Sequence, residues 1–204
     1  MRGRFIVLEG IDGSGTTTQA RALTDALSRR GHSVLSTHEP SDGSVGRLAR
    51  QRLAADGPPL DPHALALLFA ADRLDHVAGE IEPALADGRI VVCDRYVASS
   101  WAYQSLACPI DWVRAINRHA PWPDLTLWLD LPVADAQQRI ATRRDAIGTP
   151  QEIFDAKRLQ ERIAIAYAEV LGDPELGGVV RVDATKPQDE VAATLVRLCI
   201  DAGL

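Results

Sequence analysis

The stretch that decides the fold runs from residue 5 to residue 18: Phe5-Ile6-Val7-Leu8-Glu9-Gly10-Ile11-Asp12-Gly13-Ser14-Gly15-Thr16-Thr17-Thr18. It begins with four apolar residues, a run typical of a short buried strand. A glycine-rich turn follows, and a helical pattern starts at Thr16. A strand, a turn of this form and a helix are the context of a phosphate-binding loop. In such a loop, backbone N–H groups and the positive end of the helix face a polyphosphate.

The loop lacks one residue of the usual GxxxxGK[ST] pattern, because Thr16 stands where lysine is expected. Thr17 still supplies the hydroxyl that contacts Mg²⁺ in such loops. Losing one charge-stabilising donor can cost about 3 kcal/mol, or about a hundredfold in rate. A general scarcity of lysine does not explain the change, since arginine replaces lysine elsewhere and only Lys157 and Lys186 remain. Another cation reaches in, or the enzyme is slow, or the chain is not a kinase; the loop alone is also compatible with a turn that binds nothing.

Apolar runs alternate with helical patterns along the rest of the chain, which predicts an α/β fold. Strands are predicted at residues 5–8, 33–37, 89–93, 125–129 and 179–182, with helices at 16–30 and from Pro187 onward. The longest helix begins after the N-cap Asp61 with Pro62 in its first position, and Gly88 ends it. Pro83 should kink or divide this helix. Strands separated by helices predict a parallel sheet covered on both faces, with ligands at the carboxyl ends of its strands.

Size and composition limit the classes of protein that fit. A chain of 204 residues suits one domain, which we place at 1–204. Its net charge of −6 argues against binding nucleic acid or an anionic membrane surface. We find neither an apolar run of membrane-spanning length nor an export signal. Three scattered cysteines, Cys93, Cys108 and Cys199, fit reduced thiols in the cytoplasm, and the five histidines lack metal-ligand spacing.

Two longer segments carry a family resemblance. Residues 67–73 (Leu-Leu-Phe-Ala-Ala-Asp-Arg) and 94–104 (Asp-Arg-Tyr-Val-Ala-Ser-Ser-Trp-Ala-Tyr-Gln) closely resemble the two signature segments of thymidylate kinases. Residues 9–13, 39–40, 123–130 and 182–185 match further stretches of that family. The matches occur in the family order and span nearly the whole chain. A phosphate loop alone is a weak clue to the substrate, whereas this ordered set is a strong one.

The resemblance implies a P-loop nucleoside-monophosphate-kinase fold with a five-stranded parallel sheet, helices on both faces and a short lid. It implies transfer of the ATP γ-phosphate to dTMP, giving dTDP, with Mg²⁺ as cofactor and a homodimer as the assembly. The expected ATP-binding residues are Gly10, Asp12, Gly13, Ser14, Gly15, Thr16, Thr17 and Thr18. The expected dTMP-binding residues are Asp12, Glu39, Pro40, Phe69, Arg73, Arg95, Ser99, Ser100, Tyr103 and Gln104. Thr17 and Asp94 are the expected metal-side residues, and Asp12, Arg95, Arg139 and Arg143 the expected catalytic ones.

The chemistry of these residues suits those roles. Phe69 and Arg73 are four residues apart and share one helix face, so that Phe69 can stack on thymine and Arg73 can reach the base edge or the 5′-phosphate. The planar fork of Arg95 suits a phosphate. By resemblance, Asp12 accepts the 3′-hydroxyl of the acceptor, and Tyr103 packs where a 2′-hydroxyl would clash. Without the resemblance, Phe69 would be read as core and the Asp94–Arg95 pair as a loop closure.

Charge that replaces the missing lysine is expected in the lid, which we place at about 139–152. Residues 135–144 predict a helix, followed by a mobile tip at 146–150. Arg139 and Arg143 share one face of that helix and match lid arginines of bacterial members. Three features depart from the family. Thr16 replaces the lysine of the loop, and His38 replaces an arginine. The lid is altered, because residues 149–152 stand in place of an Asp-Arg-x-Glu element and Ala164 stands in place of another arginine. All three lie on the phosphate-transfer side.

Two other functions remain open at this stage. One is a related kinase for another, modified pyrimidine monophosphate. The other is a nucleotide-binding protein that has lost catalysis, for which Thr16 is the main support.

Overall fold

Five parallel strands form the centre of the computed structural model, which describes residues 2–53, 60–147 and 157–203; the side chains of 143–147 and 157 lie outside this description. The strands are Phe5–Glu9 (β1), Val34–His38 (β2), Ile90–Asp94 (β3), Leu125–Asp130 (β4) and Val179–Asp183 (β5). Their order in the sheet is β2-β3-β1-β4-β5. The central strand β1 pairs with β3 and β4, and all five of its residues are buried. The predicted five-stranded parallel sheet is confirmed.

Helices connect successive strands and cover the sheet. They are Thr16–Arg29 (α1), Ser44–Leu53 (α2), Pro62–His76 (α3), Glu82–Ala86 (α4), Val97–Gln104 (α5), Ile110–Asn117 (α6), Val133–Ile147 (α7), Lys157–Val170 (α8) and Gln188–Asp201 (α9). The predicted bounds of α1 and of the five strands agree with the structure to within one residue. The sequence analysis missed α2, in which only three residues are buried, so that its apolar pattern is weak. Within the described residues, no helix combines the length and apolarity needed to cross a membrane.

The longest predicted helix is divided in the structure. Its start is confirmed, since Asp61 Oδ1 accepts hydrogen bonds from the backbone N–H groups of His63 (2.9 Å) and Ala64 (3.2 Å). A π-helical turn, Val77–Ile81, separates α3 from α4. The interruption precedes Pro83 because a proline ring excludes the carbonyl four residues before it and has no N–H to donate.

The predicted lid helix is longer than expected. The sequence indicated residues 135–144, whereas α7 runs from Val133 to Ile147. Ala146 and Ile147 therefore belong to the helix and not to the lid tip, a correction that follows from the uninterrupted backbone pattern up to Ile147. The remainder of the predicted lid, from residue 148 to 152, lies outside the described residues.

Candidate active site

The phosphate loop turns its backbone toward a large cavity at the carboxyl ends of the strands. Gly13 and Gly15 have φ angles of +85° and +98°, which residues with a Cβ rarely adopt. Gly15 is the N-cap of α1, and no atom lies within 4 Å of the position that its Cβ would take. A Cβ on Gly13 would lie 2.6 Å from the carbonyl oxygen of Ala136, so the loop packs directly on α7. The positive end of α1 therefore faces the cavity, as anion binding requires.

The cavity has a volume of about 1060 Å³, at the upper end of the usual range for small-molecule sites. It brings together most of the sequence-predicted site residues. Those that line it are Asp12, Gly13, Ser14, Gly15, Thr16, Thr17, Thr18, Glu39, Pro40, Phe69, Arg73, Asp94, Arg95, Ser99, Ser100, Tyr103, Gln104 and Arg139. Gly10 does not line it, because it packs against Ser14 and the carbonyl of Leu129. Arg143 belongs to α7, and its side chain lies outside the described part of the chain.

The two predicted metal-side residues are in contact. Thr17 Oγ1 donates a 2.5 Å hydrogen bond to Asp94 Oδ2. The other carboxylate oxygen, Asp94 Oδ1, is buried and has no hydrogen-bond partner among the described residues. A buried carboxylate oxygen without a partner is costly unless a ligand satisfies it. Hydroxyl and carboxylate oxygens are the ligands that Mg²⁺ prefers, so these residues fit that ion.

Arg95 lines the cavity and has a backbone conformation that is rare for residues other than glycine. Among the described residues it is the one non-glycine residue with positive φ, at +69°. Its Nη2 donates to Asp12 Oδ1 at 2.6 Å, and its Nη1 donates to the hydroxyl of Tyr103 at 3.1 Å. Burial acts to lower the pKa of Arg95, but the neighbouring Tyr103, Asp12, Tyr167 and Asp94 raise it well above its usual value, so the guanidinium stays charged. A strained residue held in such contacts is typical of a functional site.

Arg73 is fixed in a buried network in the wall of the cavity. Its guanidinium pairs with Glu39 Oε2 at 2.7 Å and donates to Ser100 Oγ and to the carbonyl of Tyr96, both at 3.1 Å. It also contacts Asn117 Oδ1, and its side chain is only 2% exposed. Because a buried charge is costly without partners, these contacts explain how an arginine can be buried in the cavity wall. A direct contact of Arg73 with a nucleotide stays a prediction.

Phe69 and Gln104 both line the cavity. Phe69 is half-buried, as a ring available for stacking requires. Gln104 is buried, and its Oε1 has no hydrogen-bond partner among the described residues. Ser99 turns instead toward Glu9, to which its hydroxyl donates at 2.6 Å. The cavity wall therefore includes an aromatic face and an amide able to pair with a polar ring edge.

Arg139 is the described lid residue that contacts the phosphate loop. Its Nη1 lies 3.4 Å from the carbonyl oxygen of Ser14, and its Nη2 donates to the carbonyl of Ala184 at 2.9 Å. Neither partner carries a charge, so the guanidinium charge is not neutralised by these contacts. It therefore adds positive potential beside the loop that lacks its lysine.

Several buried polar residues around the site escaped the sequence analysis. Glu9 accepts from the N–H groups of Tyr96 (2.9 Å) and Ser99 (3.2 Å) and from the hydroxyl of Tyr167 (3.0 Å). Burial raises the pKa of the Glu9 carboxyl. The hydrogen bonds from Ser99 and Tyr167 and the charge of Arg95 act to lower this pKa, but the effect of burial is larger. The sequence did offer one sign of this role, because Glu9 is an acidic residue at the end of an apolar strand, and acidic residues are rarely buried without partners. Gln160 of α8 donates to Asp12 Oδ2 at 2.8 Å, and no local sequence pattern indicates that contact.

Two further residues of the cavity wall come from α2, the helix that was not predicted. Arg50 and Leu53 line the cavity, and Arg50 Nη2 donates to the carbonyl of Pro40 at 2.5 Å. They were missed because the helix that presents them was missed.

A phosphate loop at the end of a parallel strand, an arginine paired with that loop and a cavity that both of them line define a phosphate-loop nucleotide-binding enzyme. The family model described as thymidylate kinase matches residues 8–195. The chain is 45% identical over 175 residues, 83% of each chain, to a probable thymidylate kinase of Pyrococcus horikoshii. It is 42% identical to one of Pyrobaculum calidifontis, over 95% of this chain and 94% of the relative. It is 36% identical to one of Methanococcus aeolicus, over 97% and 96% of the two chains. The protein belongs to the thymidylate kinase family.

Proposed function

We propose that the protein transfers the γ-phosphate of ATP to dTMP, forming ADP and dTDP. The observation that carries the proposal is one continuous cavity that joins the phosphate loop to the Arg95 guanidinium and to the wall formed by Phe69 and Gln104. A donor and an acceptor bound at its two ends would bring their phosphates together between the loop and Arg95. Membership of the thymidylate kinase family supports the same reaction.

The donor end would bind ATP through the loop amides and the N-terminus of α1. Thr17 and Asp94, which are in contact, would hold Mg²⁺ together with the bound phosphates. Mg²⁺ would neutralise charge on the donor phosphates when bound. The protein itself contributes the fixed position of the donor and a site that excludes water.

The acceptor end would bind dTMP by its phosphate, sugar and base. Arg95 would hold the phosphate with its planar fork, while Asp12 would accept the 3′-hydroxyl. Thymine has both hydrogen-bond donor and acceptor atoms on its edge, which an amide such as Gln104 can match while Phe69 stacks on the ring. Tyr103, held by Arg95, would pack against the sugar at its 2′ position.

The transferring group needs positive charge that Thr16 does not supply. Arg139, which contacts the carbonyl of Ser14, would supply it, and we propose that Arg143 assists from the same helix. Such an arrangement would correspond to the arginine-bearing lid expected from bacterial members, whereas the relatives named above are archaeal. We further propose that the enzyme works as a homodimer in the cytoplasm.

The experiment measures ADP release by the purified protein with Mg-ATP and each common nucleoside monophosphate. We expect turnover with dTMP and a clear preference for it over dCMP, dUMP and the ribonucleotides. An Arg95→Lys variant is the matched comparison, because it keeps the charge but loses the fork, and its KM for dTMP should rise at least about tenfold. Preference for another monophosphate would redirect the assignment to a related kinase, and binding without turnover would indicate a degenerate one.

A further inference from the structure

Both carboxylate oxygens of Asp12 are held by other side chains. Oδ1 accepts from Arg95 at 2.6 Å, and Oδ2 accepts from the Gln160 amide nitrogen at 2.8 Å. Gln160 lies in the first turn of α8 and is completely buried. A carboxylate has two lone pairs on each oxygen, four in all, which is more than the contacts with Arg95, Gln160 and Tyr103 use. The contacts therefore fix the orientation of the carboxylate without using up its capacity to bind a hydroxyl.

The same face of α8 also contacts the partner of Asp12. Tyr167 follows Gln160 by seven residues, which is two helical turns, so both side chains project from one side of the helix. Arg95 Nη1 donates to the Tyr167 hydroxyl at 3.3 Å, and that hydroxyl also contacts Ser99 Oγ at 2.6 Å. α8 thus holds each member of the Asp12–Arg95 ion pair through a separate residue.

The amide of Gln160 is suited to orient an acid without changing its charge. An arginine or lysine in its place would add a second ion pair and weaken the acceptor strength of the carboxylate, whereas an amide donates one hydrogen bond and stays neutral. Because these contacts already fix the rotamer of Asp12, its side chain loses less conformational entropy when a ligand binds.

We propose that Gln160 is a positioning residue for Asp12 and, through it, for the 3′-hydroxyl of the nucleotide acceptor. The proposal rests on the proposed function, in which Asp12 accepts that hydroxyl. It has a specific consequence: Gln160 contributes to binding and turnover only for acceptors that carry a 3′-hydroxyl.

The first test compares dTMP with its 3′-deoxy analogue in the wild type and in Gln160→Leu. Binding of both is measured by calorimetry, and kcat/KM by ADP release. The substitution should weaken dTMP about tenfold, the cost of one hydrogen bond to a charged group, and should change the analogue less than about twofold. An equal loss for both nucleotides would reduce Gln160 to a merely structural residue and overturn the proposal.

The second test uses Gln160→Glu, which keeps the shape but places a carboxyl against Asp12. Two carboxylates at this distance share a proton, so dTMP binding should be weakened at pH 8 and should recover as the pH falls toward 5, whereas the wild type should not show this recovery. Ile165→Glu is the control, because Ile165 lies on the exposed face of α8 and receives the same charge. A flat difference between Gln160→Glu and the wild type across this pH range would contradict the proposal.

The two proposals fail in different ways. If the wild type binds no dTMP, the proposed function fails and this inference fails with it. If the wild type binds and phosphorylates dTMP but the ratio between dTMP and its 3′-deoxy analogue is the same in Gln160→Leu, only the positioning role is excluded.

Discussion

Thr16 stands in the first turn of α1, where a phosphate loop ordinarily carries its lysine. The side chain is buried and lines the cavity. Among the described residues, Arg95 is paired with Asp12 of the loop, whereas Arg139 contacts the loop through the uncharged carbonyl of Ser14 and also donates to the carbonyl of Ala184. At the scale of single residues, the positive charge that Thr16 lacks is therefore present beside the loop on Arg139 of α7.

Restoring the lysine tests how complete that replacement is. Thr16→Lys should increase kcat, by up to about a hundredfold if no other cation reaches the transferring phosphate. Ser28→Lys is the control, since it adds the same charge to an exposed position of the same helix. An unchanged rate in Thr16→Lys, together with a large loss in Arg139→Ala, would assign the lysine's role to Arg139.

A buried histidine makes stability depend on pH. His76 lies between Glu39 (3.3 Å) and Glu80 (3.0 Å), with Thr37 Oγ1 at 2.7 Å. Burial works to lower the pKa of His76, but the hydrogen bond and charge of Glu39, with the charges of Glu80 and Asp72, raise it above its ordinary value. A raised pKa means that the folded state binds the proton more tightly than the unfolded state.

The free energy of unfolding should therefore be highest below the ordinary histidine pKa of about 6.5 and should fall as the pH rises through the higher pKa of the folded state. His76→Gln should remove this part of the decline, whereas His119→Gln, at an exposed position, should leave it unchanged. Urea unfolding between pH 6 and pH 8.5 measures the difference. A decline of the same size in His76→Gln would show that another group causes it.

At the scale of elements, what could be predicted depends on how local the determining signal is. β1, the phosphate loop and α1 follow from an apolar run, glycines and a helical pattern that are contiguous, and the cap of α3 follows from Asp61 and Pro62. The partners of Arg73 and Asp12 could not be predicted, because Asn117 and Gln160 lie 44 and 148 residues away from them. The family resemblance identified most of the side chains that line the cavity, whereas the contacts among those side chains depend on how the helices pack.

The junction between the loop and α7 can be tested with two glycines. Gly15→Ala should cost about 1 kcal/mol of stability from its positive φ alone, since nothing obstructs a Cβ there, and should nevertheless impair ATP binding. Gly13→Ala should cost more, by about 1–3 kcal/mol, because its Cβ would meet the Ala136 carbonyl. Urea unfolding and calorimetric titration with Mg-ATP measure the two effects. If Gly13→Ala and Gly15→Ala lost the same stability, α7 would have to move away from the loop to make room for the methyl group at position 13.

At the scale of the whole molecule, the outer surface of α3 carries an apolar stripe. Leu67 and Leu74 are 50% and 40% exposed and lie seven residues apart, so they share one face of the helix. Leu48 of α2, which packs beside α3, is 39% exposed. An exposed apolar patch formed by adjacent helices is typical of a protein interface, which suits the proposed homodimer.

The stripe predicts which substitutions separate the subunits. The wild type should elute with twice the chain mass of 22.1 kDa, and Leu67→Glu combined with Leu74→Glu should give the monomer. Ile200→Glu, on α9, is the control because Ile200 is similarly exposed but lies on a different helix. Light scattering after size-exclusion chromatography gives the masses. A dimer that survives the double substitution would place the interface elsewhere.

The central place of β1 also matters while the chain is being made. Phe5 pairs with Val91, and Ile6 pairs with Leu125, so neither neighbour of β1 exists when it leaves the ribosome. At about 5–20 residues per second, roughly 120 residues of further synthesis occupy about 6–24 s. Until β3 is made, the four apolar residues of this five-residue strand have two unpaired edges, and until β4 is made one edge stays unpaired. Chaperone binding to the growing chain is therefore expected to be strongest before residue 125 emerges, and to end when β4 closes the second side of the sheet.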